Sequence, residues 1–201
     1  RIAPTERDQF DPKDYMFGPS IHTVTSQFIK PLTQEAGNVS WALMCHPEGL
    51  PCDLFITHCW AEGIYEFVDK VLNSWPAGAK HAYCCFLSTP QGFDISGLIS
   101  APMESPFAKA LQSASTMLVV PNRHGSIYMR IWCAYEAFLA YSWGKLIITA
   151  HSSVLDFWPR VLQMCAIVVS SAGAISSLIM TNAVMRKDNE VSMLLMHISH
   201  L

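Results

Sequence analysis

DLFITHCWAEGIYEFVDKVLNSW, residues 53–75, joins a run of strand-forming residues directly to an amphipathic helix. The run from 53 to 60 is apolar on both faces, which is typical of a central strand in a parallel sheet. In the second half, apolar residues recur at helical spacing on one stripe, at Ile64, Phe67, Val68, Val71 and Leu72. A strand that leads straight into such a helix is half of a βαβ unit, so this stretch predicts an α/β fold with a parallel sheet.

The same alternation of strands and helices continues along the chain. Strand-like runs follow at 81–88, 116–122 and 146–150, and helical patterns lie between them at 107–115 and 129–143. We therefore expect a three-layer α/β/α domain with a mainly parallel central sheet. The strands of this sheet are predicted at 53–58, 82–87, 116–120 and 146–150.

The first part of the chain differs in character from the rest. Residues 1–38 are turn-rich and contain a predicted short helix from Thr23 to Leu32. We interpret them as an N-terminal extension that either packs on a core or links to an upstream domain, and residues 39–201 as the α/β domain. VSWALM, residues 39–44, is predicted as a further strand, because β-forming residues there precede the turn-forming sequence HPEGLP.

Composition limits the class of partner. The chain of 201 residues has a net charge of −3 and no stripe of basic residues, so nucleic acid is not an expected partner. Only 14% of the residues are charged, and the mean hydropathy is +0.24. Such an apolar composition is typical of either dense burial or a membrane-embedded segment.

The seven cysteines favour free thiols in a reducing compartment. Their number is odd and most lie in apolar runs, which is typical of a cytoplasmic protein. The stretch from Cys45 to Cys59 is rich in cysteine and histidine, but it lacks the closely spaced pairs that a zinc site needs. No metal site is therefore predicted.

Two interpretations of residues 161–180 stay open. VLQMCAIVVSSAGAISSLIM has twenty residues without a charge, and Arg160 precedes it while Arg186 and Lys187 follow it. A segment of this length can span a hydrocarbon core as a transmembrane helix, and the domain would then be the cytosolic part of a membrane protein. The other interpretation is a soluble α/β ending, in which a helix end, a strand CAIVVS at 165–170 and a helix start divide the segment.

Three stretches resemble a divergent Toll/interleukin-1 receptor (TIR) domain, of a kind similar to those of single-celled algae. CDLFITH (52–58) resembles the family's first strand, and SPFAKALQSASTMLVVPN (105–122) resembles its second helix and third strand. SIYMRIWCAYEAFLA (126–140) resembles its Ser-x-x-Trp-Cys-x-x-Glu-Leu motif. The resemblance covers about residues 52 to 150 and implies a flavodoxin-like TIR fold.

The resemblance also implies site residues and a substrate. Glu136 falls on the glutamate that cleaves the nicotinamide–ribose bond of NAD in the family's enzymes, and Trp132, one helical turn earlier, would line the nucleotide pocket. Thr57, His58 and Trp60 would border the same cleft. Ser126 would bind a ribose hydroxyl or cap the turn into the helix. NAD is therefore expected as a substrate, with no cofactor.

Residue chemistry fits this role, although other roles stay open. Breaking an N-glycosidic bond builds positive charge on the ribose, which a carboxylate stabilises. Glu136 could instead face solvent or pair with Arg130. TIR domains also act as catalytically silent scaffolds that bind other TIR-like domains, and the loop from Thr89 to Pro106 echoes the family's assembly loop only at Pro90, Gln91 and Gly92.

Overall fold

The structure is a computed structural model that describes residues 1–92, 101–123, 127–153 and 161–182. The chain divides into two compact units, Arg1–Ser153 and Val154–Leu201. Each unit is described by itself below. The first unit contains the sheet and the predicted site.

Within the described residues, four strands form one all-parallel sheet in the order β2-β1-β3-β4. The strands are β1 (Leu54–Thr57), β2 (Ala82–Cys84), β3 (Thr116–Val119) and β4 (Leu146–Thr149). The main helices of this unit are α1 (Ile21–Val24), α2 (Lys30–Glu35), α3 (Trp41–Cys45), α4 (Ile64–Asn73), α5 (Cys85–Ser88), α6 (Pro106–Ser113) and α7 (Ile131–Ser142). A π-helical turn, Thr25–Ile29, joins α1 to α2, and 3-10 turns at Pro102–Glu104 and Ile127–Met129 precede α6 and α7.

Helices cover both faces of this sheet, as predicted. Neighbouring residues of β1 point to opposite faces, so Leu54 packs in one apolar cluster and Phe55 in another. The first cluster includes Ile21 of α1 and Phe67 of α4, and the second includes Leu111 of α6. The predicted three-layer α/β/α fold is therefore confirmed.

The N-terminal residues pack into this core. Ile21 is fully buried in the first cluster, and its backbone N–H donates to the Glu62 carbonyl at 2.9 Å. The Ile64 N–H donates to the Pro19 carbonyl at 2.9 Å. A Cβ on Gly63 would lie 2.2 Å from the Phe17 carbonyl oxygen, so only glycine permits this close approach at the start of α4.

A buried ion cluster fastens α4 to the end of β3. The Lys70 ammonium contacts Glu62 at 3.1 Å and Glu66 at 2.8 Å, and it donates to the carbonyl of Pro121, just beyond β3. Glu62 is almost fully buried, and this burial raises its pKa to about 7 against the opposing effect of Lys70. The cluster fixes the distance between two elements that border the carboxyl edge of the sheet.

Two predicted strands are wrong in part or in whole. VSWALM is not a strand, because the Ser40 hydroxyl accepts the N–H of Leu43 at 3.2 Å and caps helix α3. The predicted strand 82–87 ends at Cys84, and Cys85–Ser88 forms the helical turn α5. Among the described residues, β2 pairs with β1 alone, so the sheet imposes less on these residues.

The second unit contains one described helix, α8 (Val161–Asn182). This helix runs without a break through residues 165–170. The predicted strand CAIVVS is therefore wrong, and so is the strand that the soluble α/β ending requires. Continuous helical hydrogen bonding suits this segment because it contains no proline and only one glycine, Gly173.

Candidate functional site

The sheet topology creates a crevice between β1 and β3. The helix that follows β1, α4, packs on one face of the sheet, whereas the helix that follows β3, α7, packs on the other. β1 and β3 are neighbours, so the chain leaves their carboxyl ends in opposite directions. Ligands of open α/β sheets bind at such a switch point. The predicted site residues come from these two connections.

A cleft of about 210 Å³ lies at this point. Five of the six predicted site residues line it: Glu136, Trp132, Thr57, His58 and Trp60. Ser126, the sixth, lies outside the described residues. Residues that are 79 positions apart in sequence, Thr57 and Glu136, are thus brought into one cleft and hydrogen-bonded to each other.

The carboxyl group of Glu136 is held by one short hydrogen bond. The Thr57 hydroxyl donates to Glu136 Oε2 at 2.6 Å. Burial raises the pKa of Glu136 to about 7, and the Thr57 hydrogen bond and the nearby Arg130 charge oppose that rise. The carboxyl therefore exchanges a proton near neutral pH, which is the property expected of a functional carboxyl rather than of a solvated one.

Arg130 supplies positive charge to the cleft without forming an ion pair with Glu136. Its Nη1 donates to the carbonyl oxygen of His58 at 3.2 Å. Among the described residues, no Arg130–Glu136 contact within ion-pair distance occurs, and the Arg130 charge still acts on the Glu136 pKa. The alternative roles of Glu136, facing solvent or pairing with Arg130, therefore do not match the geometry.

An aromatic wall stands beside the carboxyl group. The Trp132 ring lies nearly parallel to Phe107 of α6, with centroids 6.1 Å apart and an interplanar angle of 27°. Tyr135 meets the Trp132 ring edge-on at 5.9 Å. Because Trp132 precedes Glu136 by one helical turn, the same face of α7 presents the flat ring and the carboxyl to the cleft.

His58 forms a buried, uncharged part of the cleft wall. Burial lowers the pKa of its imidazole to about 4, so the ring is neutral at physiological pH. The ring packs edge-on against Phe67 and Phe86, each at 5.2 Å between centroids. Its Nε2 lies 3.2 Å from Cys85 Sγ, and burial raises the pKa of that thiol to about 12. The pair is therefore a neutral thiol beside a neutral imidazole.

Asp53 and Cys133 have hydrogen bonds to the backbone. Asp53 Oδ2 accepts the backbone N–H groups of Lys80 at 3.0 Å and His81 at 3.1 Å, which join the start of β1 to the start of β2. Cys133 is buried, and its thiol donates to the His58 carbonyl at 3.6 Å. Asp53 therefore fixes the amino ends of β1 and β2, whereas Cys133 lies in the wall of the cleft.

Sequence reasoning missed several residues of the cleft. They are Ile56, Cys85, Thr89, Gln91, Phe107, Arg130 and Cys133. Gln91 donates to the carbonyls of Cys85 at 3.1 Å and Thr89 at 2.7 Å, so it closes the turn after α5. Its place in the loop after the second strand was a usable signal, because such loops lie at the carboxyl edge of the sheet.

Metal binding at the cleft has no geometric support. Among the described residues, no three His, Cys, Asp or Glu side chains are grouped to hold a metal ion. The chemistry available to the cleft is that of a carboxyl group with a near-neutral pKa, a hydroxyl donor, a guanidinium and an aromatic wall. Comparison with family models, with curated proteins and with solved structures finds no match for this chain.

Proposed function

We propose that this protein is a TIR-like signalling domain that hydrolyses NAD at the nicotinamide–ribose bond through Glu136. The observation that carries the proposal is the contact of Glu136 with Thr57 beside Trp132 in the switch-point cleft. The motifs that resemble TIR domains assign the same glutamate and tryptophan.

The reaction needs one carboxylate. As the bond between ribose C1′ and the pyridinium nitrogen breaks, the bonding electrons leave with nicotinamide, which departs as a neutral base. Positive charge then develops on C1′ and the ring oxygen, where ionised Glu136 stabilises it. Water adds to C1′ and releases a proton, giving ADP-ribose. A general acid is not required, because the leaving group is already neutral on departure.

The cleft suits one end of the dinucleotide. Its volume of about 210 Å³ is below the roughly 300–1,000 Å³ typical of sites that enclose a drug-sized ligand. It would therefore hold the nicotinamide and its ribose, with the remainder outside. The Trp132 ring offers a face to the cationic pyridinium, which cation–π attraction favours until the charge is lost.

Nicotinamide release from NAD is the direct test. Glu136→Gln keeps the shape of the side chain and its acceptor for Thr57, but removes the charge. We expect the wild-type chain to release nicotinamide at high protein concentration, and Glu136→Gln to lose at least 100-fold in rate. Glu35→Gln is the matched control, because Glu35 is exposed at the end of α2. An inactive wild-type chain, even after forced clustering, would overturn the proposal.

An apolar surface favours a second candidate function, a silent scaffold that associates with other TIR-like domains. Phe138 and Tyr141 of α7 are 62% and 81% exposed, and Leu146 of the edge strand β4 is 61% exposed. In the part of the chain that the structure describes, β4 pairs only with β3, and exposed apolar side chains beside such a strand edge are typical of an association surface. Sedimentation of Phe138→Ser and Glu136→Gln, together with the nicotinamide assay, separates the two functions. If the protein is a scaffold, only Phe138→Ser loses self-association, and neither the wild-type chain nor either variant cleaves NAD.

A further inference from the structure

The helix α8 has no charged residue, and large apolar side chains make up most of its exposed surface beside a narrow stripe of Gln163, Ser170, Ser177 and Thr181. It contains Leu162, Val168, Ile175 and Leu178 among its exposed apolar side chains, all at least 60% exposed. Every residue from 162 to 182 is exposed. A helix without charges whose surface is mostly apolar is stable either within a protein core or within lipid, because water solvates it poorly.

The length of α8 matches a bilayer. Its 22 residues rise about 1.5 Å each, which gives a helix of about 33 Å. The hydrocarbon core of a bilayer is about 30 Å thick. The helix also satisfies its own backbone hydrogen bonds, which lipid requires of any spanning segment.

Three other kinds of apolar helix fit less well. The core helix of a soluble protein is mostly buried, whereas α8 has no buried residue in its most apolar window. A cleaved secretion signal stands before the folded domain, whereas α8 follows one of 153 residues. A helix that lies along a membrane surface has a charged face, and α8 has no charged residue.

The sequence beside α8 has the residues that anchor a spanning helix. Phe157, Trp158 and Arg160 precede it, and Arg186 and Lys187 follow it. Aromatic and basic side chains are enriched where a helix meets the lipid headgroups. Basic residues stand on both sides, so they do not by themselves choose the orientation.

We propose that Val161–Asn182 spans a phospholipid bilayer, and that residues 1–153 lie on its reducing, cytosolic side. The cysteines set the orientation. All seven are free thiols, including Cys45, which is exposed. Free thiols persist on the reducing side of a cellular membrane and tend to form disulfides on the oxidising side.

Two exposed cysteines provide a built-in probe. Cys45 lies in α3, and Cys165 lies within α8, and both are exposed to solvent in the structure. The full chain is mixed with sealed phosphatidylcholine vesicles and treated with a membrane-impermeant maleimide, and labelling at each cysteine is read by mass spectrometry. We expect the vesicles to reduce labelling of Cys165 at least tenfold and to leave Cys45 unchanged.

Two arginine substitutions in α8, one at its centre and one near its end, form a matched pair of variants. Ala172→Arg places a guanidinium near the middle of the bilayer, and we expect it to shift partition toward water by about 100-fold and to restore Cys165 labelling. Gln163→Arg places the same charge near the helix end, where the side chain reaches the headgroups, so it should behave as wild type. Circular dichroism of each variant checks that the chain is folded.

The same labelling experiment can exclude a membrane-spanning α8. Equal labelling of Cys165 with and without vesicles, or a wild-type chain that washes off the vesicles at pH 11, excludes a spanning helix. Equal protection in Ala172→Arg points to binding at the vesicle surface and excludes spanning. In cells, labelling of Cys45 from outside the membrane would overturn the orientation.

Discussion

At the scale of single residues, the surroundings of the Glu136 carboxyl group determine its pKa. It is partly desolvated, yet Thr57 and Arg130 favour its charged form, and these opposing effects leave its pKa at about 7. In the proposed reaction, ionised Glu136 is the form that stabilises the ribosyl cation. The rate of NAD cleavage should therefore rise with pH through about 7 and level off above it.

Thr57 should set the position of that pH profile. Thr57→Val removes the hydroxyl that donates to Oε2, so the Glu136 pKa should rise and the midpoint of the rate profile should move to higher pH. Thr57→Ser keeps the donor and should keep the midpoint. A rate profile measured from pH 5 to 9 checks both. An unchanged midpoint in Thr57→Val would show that the hydroxyl does not act on Glu136.

Glu136 should also lower the stability of the fold above neutral pH. The folded carboxyl has a pKa near 7 and the unfolded one near 4.5, so the folded state alone keeps the proton between these values. The free energy of unfolding therefore falls as pH rises through this window. We expect Glu136→Gln to be more stable than wild type by about 2 kcal/mol at pH 8 and equal to it below pH 4.5.

Urea denaturation at a series of pH values measures this difference. Glu35→Gln serves as its control, because Glu35 is exposed and its substitution should leave the pH dependence unchanged. A Glu136→Gln variant that is less stable than wild type at pH 8 would contradict a desolvated carboxyl. It would instead mean that the charge contributes favourably to the fold.

The resemblance to TIR domains singled out Glu136 and Trp132, and helix geometry explains why the two lie together. Glu136 is the one acidic residue in a long apolar stretch, and its i to i+4 spacing from Trp132 places both on one helix face. Phe107, Arg130 and Cys85 were missed because no local pattern directs them into the cleft. Their positions depend on how α6, α7 and β2 pack around the end of β1.

At the scale of elements, the buried Lys70 cluster joins α4 to β3. Lys70→Met keeps the length of the side chain but leaves the buried carboxyl of Glu62 without its cation, whereas Glu66 keeps Arg123 Nε at 3.7 Å. We expect a loss of about 3–5 kcal/mol in the free energy of unfolding. Lys109→Met, at an exposed position of α6, should cost no more than about 0.5 kcal/mol. Equal stability of the two variants in urea would refute the role of the cluster.

Strands and helices were predicted with unequal success. The central strands β1 and β3 have apolar residues on both faces, and a partner on each side keeps them extended, so their runs identified them well. Residues 39–44 contain equally apolar residues, but the Ser40 cap sets a helix there. The hydrogen bond from the Leu43 N–H to the Ser40 hydroxyl favours a helix more than the side chains of residues 41–44 favour a strand.

At the scale of the whole molecule, the N-terminal residues are part of the core rather than an appendage to it. Ile21 is fully buried against the cluster that holds Leu54 and Phe67. Ile21→Ala should lower the free energy of unfolding by about 2–5 kcal/mol. Tyr15→Ala, at a side chain that is 85% exposed, should leave it nearly unchanged. Thermal unfolding compares the two, and a harmless Ile21→Ala would make this segment dispensable.

Composition alone could not decide whether this segment packs on the core or links to an upstream domain. Prolines and turns predict an irregular path, but they do not tell whether the path runs over a core. The deciding contacts are long-range, from Ile21 to the Glu62 carbonyl and from Gly63 to Phe17. Sequence patterns report neighbours along the chain, so such contacts become visible only in the folded molecule.

The aromatic wall gives the cleft an optical property. Trp132 and Trp60 both line it, and Trp132 stands one helical turn from a carboxyl group that titrates near neutrality. Excited indole gives up an electron readily to a nearby pyridinium ring or protonated acid, and its emission is quenched. We therefore expect the part of the emission that comes from Trp60 and Trp132, two of the six tryptophans, to change without any added dye when a pyridinium compound enters the cleft or when its carboxyl group takes up a proton.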